Sequence, residues 1–96
     1  MRPSKALEAN RDAIRAIAAR HRVQNVRVFG SVLHGDDLEG SDLDLLVEPT
    51  AQTTLMDIAG IQVEAERLLG IHVDGLTPKF LPSTLRDRVL REAVPL

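Results

Sequence analysis

The feature that most constrains this chain is a turn and a strand at a fixed separation: Gly30-Ser31, ten intervening residues, then Asp42-Leu43-Asp44-Leu45-Leu46-Val47. Before the turn, Val26, Val28 and Phe29 form a short β-branched and aromatic run, so the chain arrives as a strand and must bend sharply at Gly30. Gly30 lets backbone N–H groups approach an anion. Ser31 adds a hydroxyl, and a helix opening there aims its positive end and its unpaired N–H groups at a phosphate. Beyond the gap, Leu43, Leu45 and Val47 alternate with Asp42 and Asp44, the period of a strand with one apolar face. The two carboxylates then project together, with Cα atoms roughly 7 Å apart, and suit hard cations such as Mg²⁺. Without cations they only repel. An Asp-x-Asp alone is more often the solvated face of an edge strand; the Gly-Ser turn at this distance favours the metal site.

A chain of 96 residues buries only about 60–65% of its unfolded surface, so one domain over residues 1–96 with a modest core is expected. Phe29 and Phe80 are the only aromatic residues, which leaves Leu, Ile, Val and Ala to build that core. Twelve basic residues stand against 14 acidic ones, for a net charge of −2, with no long run of either sign. Nucleic-acid affinity rests on phosphate neutralisation and, for single strands, on aromatic platforms, so direct nucleic-acid binding is not expected. The absence of Tyr means that the chain cannot modify itself on tyrosine. The absence of Cys excludes disulfides and thiolate metal sites and fits a reducing cytosol. No apolar run approaches the ~20 residues of a membrane span, and Met1-Arg2-Pro3-Ser4-Lys5 has no signal-peptide character. A soluble cytoplasmic protein is expected.

Taken in order, Ser4 is the expected N-cap of a first helix reaching about His21, with Leu7, Ile14, Ile17 and Ala18 on one stripe. Arg11, Arg15 and Arg20 fall elsewhere and read as a solvated face. Gln24-Asn25 reads as a turn into a strand at 26–29, followed by a short helix at 31–33 and an exposed loop at 34–41. A second strand spans 41–48. Thr54 and Asp57 have the spacing of a capping box for a helix at 55–69, whose stripe is Leu55, Ile58, Ala59, Ala65, Leu68 and Leu69, and Gly70 stops it. Residues 71–74 form a third strand ended by Asp74, and His72 shares a face with Asp74, read as a partly buried structural histidine. Pro82-Ser83 opens a last helix in which Leu85, Val89, Leu90 and Ala93 pack and Arg86, Arg88 and Arg91 are exposed. The order αβαβαβα predicts an α/β (α+β) fold, a small mixed β-sheet flanked by helices.

The Gly-Ser, ten residues, Asp-x-Asp spacing resembles the signature of the nucleotidyltransferase superfamily related to DNA polymerase β. More narrowly, Phe29-Gly30-Ser31, the Gly35-Asp36 turn and the run from Gly40 to Val47 resemble the minimal nucleotidyltransferase antitoxins of toxin–antitoxin pairs. With Asp74, the similarity covers nearly the whole chain. The resemblance implies transfer of AMP from ATP, with two Mg²⁺ ions held by Asp42, Asp44 and Asp74 and with Gly30 and Ser31 on the triphosphate. It implies Asp74 as base toward the acceptor hydroxyl; read from the residues alone, a strand-terminal Asp is also an ordinary turn residue. It further implies a partner, a helical HEPN-type ribonuclease toxin modified on a tyrosine. Where the resembling families usually read Ala-Arg-Gly, this chain reads Leu33-His34-Gly35, so a permanent cation beside the triphosphate is missing and His34 replaces it only when protonated. Two alternatives stand beside this reading: a non-catalytic antitoxin that masks the toxin by contact, and a small-molecule nucleotidyltransferase, for which 96 residues leave little protein to hold an acceptor.

Overall fold

In the computed structural model, which describes residues 1–96, the first helix begins at a proline. Pro3 opens α1 (Pro3–Arg20), where its missing N–H leaves nothing unsatisfied. Ser4, expected as the N-cap, lies inside the helix, and Arg2 at the cap position makes no side-chain bond. The cap comes from a distant loop: the Ser4 backbone N–H donates to Asp37 Oδ2 at 2.8 Å. That bond is the main cause holding the Asp37 carboxyl below its ordinary value, and it places a negative charge at the positive helix end. Asp37 is therefore buried, at 2% exposure, rather than on an exposed turn. Leu7, Ile14, Ile17 and Ala18 are buried as the stripe predicts.

Strand β1 (Val23–Phe29) starts three residues before its expected beginning. Gln24 and Asn25 lie within it, not in a turn, and the pairing register shifts between Val23 and Val26. Next come α2 (Ser31–His34), β2 (Leu43–Pro49) and α3 (Leu55–Leu69). Both halves of the Thr54–Asp57 capping box form. The stripe of α3 is rotated from the expected one: Ile58, Ile61 and Ala65 are buried, whereas Leu55, Ala59 and Leu68 are exposed. The reason is that α3 packs on both α1 and the sheet through a narrow line, and at Gly60 the ring of His21 occupies the space that a Cβ would take. Strand β3 (Val73–Leu76) begins and ends later than expected, so Asp74 lies within it.

A 3-10 turn (Pro78–Phe80), α4 (Ser83–Glu92) and a two-residue strand β4 (Val94–Pro95) complete the chain. The expected order holds through α4 and is extended by β4. Helix α4 buries no residue, and Leu85 and Leu90 stay exposed. Arg86, expected to be exposed, is half-buried and anchors it: its Nε donates to Pro78 O at 2.8 Å and its Nη2 to Leu81 O at 3.0 Å.

The sheet is four-stranded and mixed, in the order β3-β2-β1-β4. Strands β1 and β2 are antiparallel, and β2 and β3 are parallel. A parallel pair needs a long crossover, which α3 supplies. Leu43, Leu45 and Val47 of β2 join Val28, Val73, Ile14, Ile17, Ile58 and Ile61 in one core under α1 and α3. On the opposite face of β2, Asp44 is half-buried and Leu46, two residues on, is fully buried.

Candidate active site

Register gathers the acidic residues. Asp44 stands opposite Asp74 in the parallel pair and opposite Phe29 in the antiparallel pair, so Gly30 and Ser31 follow directly at its flank. Asp42 lies just before β2 rather than on it. The Leu43 N–H donates to His72 O at 3.0 Å, which prolongs the parallel pairing and sets Asp42 beside His72. Ligand atoms of Asp42, His72 and Asp74 all lie within 4.8 Å of one another. Asp42 and Asp44, about thirty residues from Asp74 in sequence, thus converge with it where β2 and β3 run side by side, next to the turn that carries Gly30 and Ser31.

Gly30 is fixed there by two requirements. Its φ of 76° and ψ of −151° fall in a region that only glycine occupies readily. A Cβ built on it would also overlap Asp44 Oδ2 and lie 3.3 Å from Asp44 Cγ. The turn is pressed against the carboxylate, and Ser31 opens α2 beside it.

Half-buried Asp44 carries the clearest electrostatic mark of the site. Burial first, then the charges of Asp74 and Asp42, push its pKa up to about 6. Three carboxylates in one place, one of them desolvated, are unfavourable for the isolated chain and favourable around a divalent cation. All-oxygen donors of this kind fit Mg²⁺ or a related ion.

His72 is not the partly buried residue expected; its side chain is 56% exposed. Its Nε2 lies 3.0 Å from Asp74 Oδ1 and its Nδ1 2.7 Å from Glu66 Oε2. Nothing in the sequence pattern pointed to Glu66, which comes from the last turns of α3 and meets β3 only through the crossover. His34 meets α4 rather than the three aspartates, with Nε2 3.1 Å from Glu92 Oε2. Between α4 and the turn lies a cleft of about 210 Å³, lined by Phe29, Gly30, His34, Arg88 and Glu92 among others. Arg88, read from the sequence as exposed, lines the same cleft as Gly30 and brings a permanent cation to it, with Nε 3.4 Å from Glu92 Oε1. The widest hollow, about 450 Å³ between α1 and α3, contains none of the three aspartates.

A mixed sheet that sets aspartates on neighbouring parallel strands beside a Gly-Ser turn defines a nucleotidyl-transferring class of protein. Residues 11–96 match the nucleotidyltransferase domain family. The chain is 38% identical over 78 residues to a protein of Methanocaldococcus jannaschii assigned as a protein adenylyltransferase, covering 81% of this chain and 84% of that one. It is 36% identical over 75 residues to the protein adenylyltransferase MntA of Thermococcus cleftensis, covering 78% and 76% respectively. A solved structure assigned as a minimal nucleotidyltransferase superposes with a TM-score of 0.86 at 46% identity, over 97% of this chain and 95% of that one. The chain therefore belongs to the nucleotidyltransferase domain family and is a nucleotidyltransferase. A toxin–antitoxin crystal structure with AMP-PNP shares the fold, with a TM-score of 0.75 at 18% identity over 90% of this chain and 71% of that one.

Proposed function

We propose that this chain is a cytoplasmic antitoxin that transfers AMP from ATP to a tyrosine hydroxyl of a HEPN-type ribonuclease partner. The observation that carries this reading is the convergence of Asp42, Asp44 and Asp74 beside Gly30. The similarity to proteins named as protein adenylyltransferases and the fold shared with toxin–antitoxin chains support it. The chain has no Tyr of its own, so such an acceptor belongs to another protein.

Asp42, Asp44 and Asp74 would hold one or two divalent ions, which when bound neutralise the triphosphate and acidify an attacking hydroxyl. Gly30 and Ser31 present backbone N–H groups and a hydroxyl to the phosphates, and Arg88 adds positive charge from across the cleft. Asp74 accepts the proton of the acceptor hydroxyl. The acceptor oxygen then bonds to the α-phosphorus, the bond from that phosphorus to the bridging oxygen breaks, and pyrophosphate leaves. The rigid β2–β3 pair holds the carboxylates in place, so little reorganisation is required during the reaction.

Asp44→Asn tests the proposal, since it keeps size and strand position while removing one charge. Purified partner incubated with ATP and Mg²⁺ should gain the mass of AMP with the parent chain and none with the variant. Ribonuclease activity should stay blocked only after treatment with the parent. If the variant neutralises the partner equally and neither adds mass, neutralisation is by contact masking and the transfer reading fails.

A further inference from the structure

Residues 71–74 alternate, so His72 and Asp74 point to the same side of their segment. His72 Nε2 faces Asp74 Oδ1 at 3.0 Å, and Nδ1 faces Glu66 Oε2 at 2.7 Å. That same Glu66 oxygen accepts the Val73 backbone N–H at 3.0 Å. Glu66 is thus tied to the strand itself and holds the imidazole from behind. A histidine that binds a metal through one ring nitrogen almost always donates its other N–H to a carboxylate, which fixes the tautomer and the ring orientation. Here the nitrogen left facing forward is Nε2, and it is grouped with carboxylate oxygens of Asp42 and Asp74 within 4.8 Å. Nε2 and Asp74 Oδ1 would each have a lone pair to offer a cation once Nδ1 carries the ring proton toward Glu66.

We propose that His72 is a nitrogen ligand of the divalent ion held by Asp42 and Asp74, with Glu66 as the residue that positions its ring. This rests on the metal-site reading of the three aspartates. One imidazole among oxygen donors changes the preference of the site. Mg²⁺ is a hard ion that selects oxygen, whereas an imidazole suits first-row transition ions, Zn²⁺ most and Mn²⁺ less so but still more than Mg²⁺. The chain therefore favours Mn²⁺ over Mg²⁺ more strongly than an all-carboxylate site does. The exposure of His72 leaves it accessible to an arriving ion, and no core contact is lost when it is replaced.

The test loads the full chain with Mn²⁺ alone, without nucleotide, and reads pulsed electron paramagnetic resonance. Nitrogen coupling to Mn²⁺ should be present in the parent, change on labelling histidine with ¹⁵N, and vanish in His72→Gln. His34→Gln should leave it intact. By titration, His72→Gln and Glu66→Gln should each weaken Mn²⁺ binding about tenfold, while Mg²⁺ binding changes less than about twofold in His72→Gln. Mn²⁺ that binds to the parent without histidine coupling overturns the role of His72 and leaves the carboxylate site standing. A parent chain that binds no Mn²⁺ overturns both.

Discussion

Gly30→Ala puts the closest contact of the site under direct strain. The backbone at residue 30 sits at φ 76° and ψ −151°, and holding a residue with a Cβ there costs about 1–3 kcal/mol. The new methyl would in addition overlap Asp44 Oδ2, so either the turn lifts from β2 or the Asp44 side chain swings away. A cost near the middle of that range, about 2 kcal/mol, lowers the melting temperature of a domain of this size by about 10 °C. The catalytic effect should exceed what that loss explains, because a displacement of about 1 Å in a reacting group costs on the order of 100-fold in rate. Thermal melting followed by circular dichroism and steady-state AMP transfer, measured well below the variant's melting point, separate the two effects. A variant that melts within about 2 °C of the parent and keeps full kcat refutes the argument that Gly30 is selected by its contact with Asp44.

Arg88→Gln should raise KM for ATP about tenfold, equivalent to about 1.4 kcal/mol, with kcat little changed, since Arg88 lines the cleft beside Gly30; unchanged KM in initial-rate measurements counts against that placement. In chelator at neutral pH, Asp44→Asn should melt above the parent because it removes one of three converging charges, and Mg²⁺ should stabilise the parent alone. Thr54→Ala removes the hydroxyl that accepts the Asp57 N–H at 3.2 Å and should cost about 1 kcal/mol, seen as a melting point lower by about 5 °C. The Asp57 carboxyl is held below its ordinary value of 3.8, chiefly by the Thr54 backbone N–H. Its stabilisation is therefore present in full above that unfolded value and is lost as pH falls through the lower folded one. Urea unfolding across pH 2–6 should show this acid loss in the parent and a flatter acid limb in Asp57→Asn.

The sequence by itself determined what depends on neighbours along the chain. The capping box at Thr54 and Asp57, the stop at Gly70 and the bounds of α3 follow from local hydrogen bonding and helical period. The Gly30-Ser31 turn and the alternation through Asp42, Asp44 and Val47 follow from backbone freedom and the period of a strand. Those features sufficed for the fold class and for pairing Asp42 with Asp44; Asp74 joined them through the family resemblance.

Only the tertiary structure decided what depends on distant segments. Asp37 caps α1 from 33 positions away, so Ser4 looked like the cap in its absence. Leu55 and Leu68 fit the helical period of α3, but which side of a helix is buried is set by what it packs against, and α1 with the sheet chose Ile58, Ile61 and Ala65. Strand β4 exists because β1 offers it an open edge; two residues carry too little pattern to signal a strand. Glu66 reaches His72 because the α3 crossover returns the chain in parallel beside β2. No spacing rule encodes that meeting, since it depends on where a fifteen-residue helix comes to rest on the sheet.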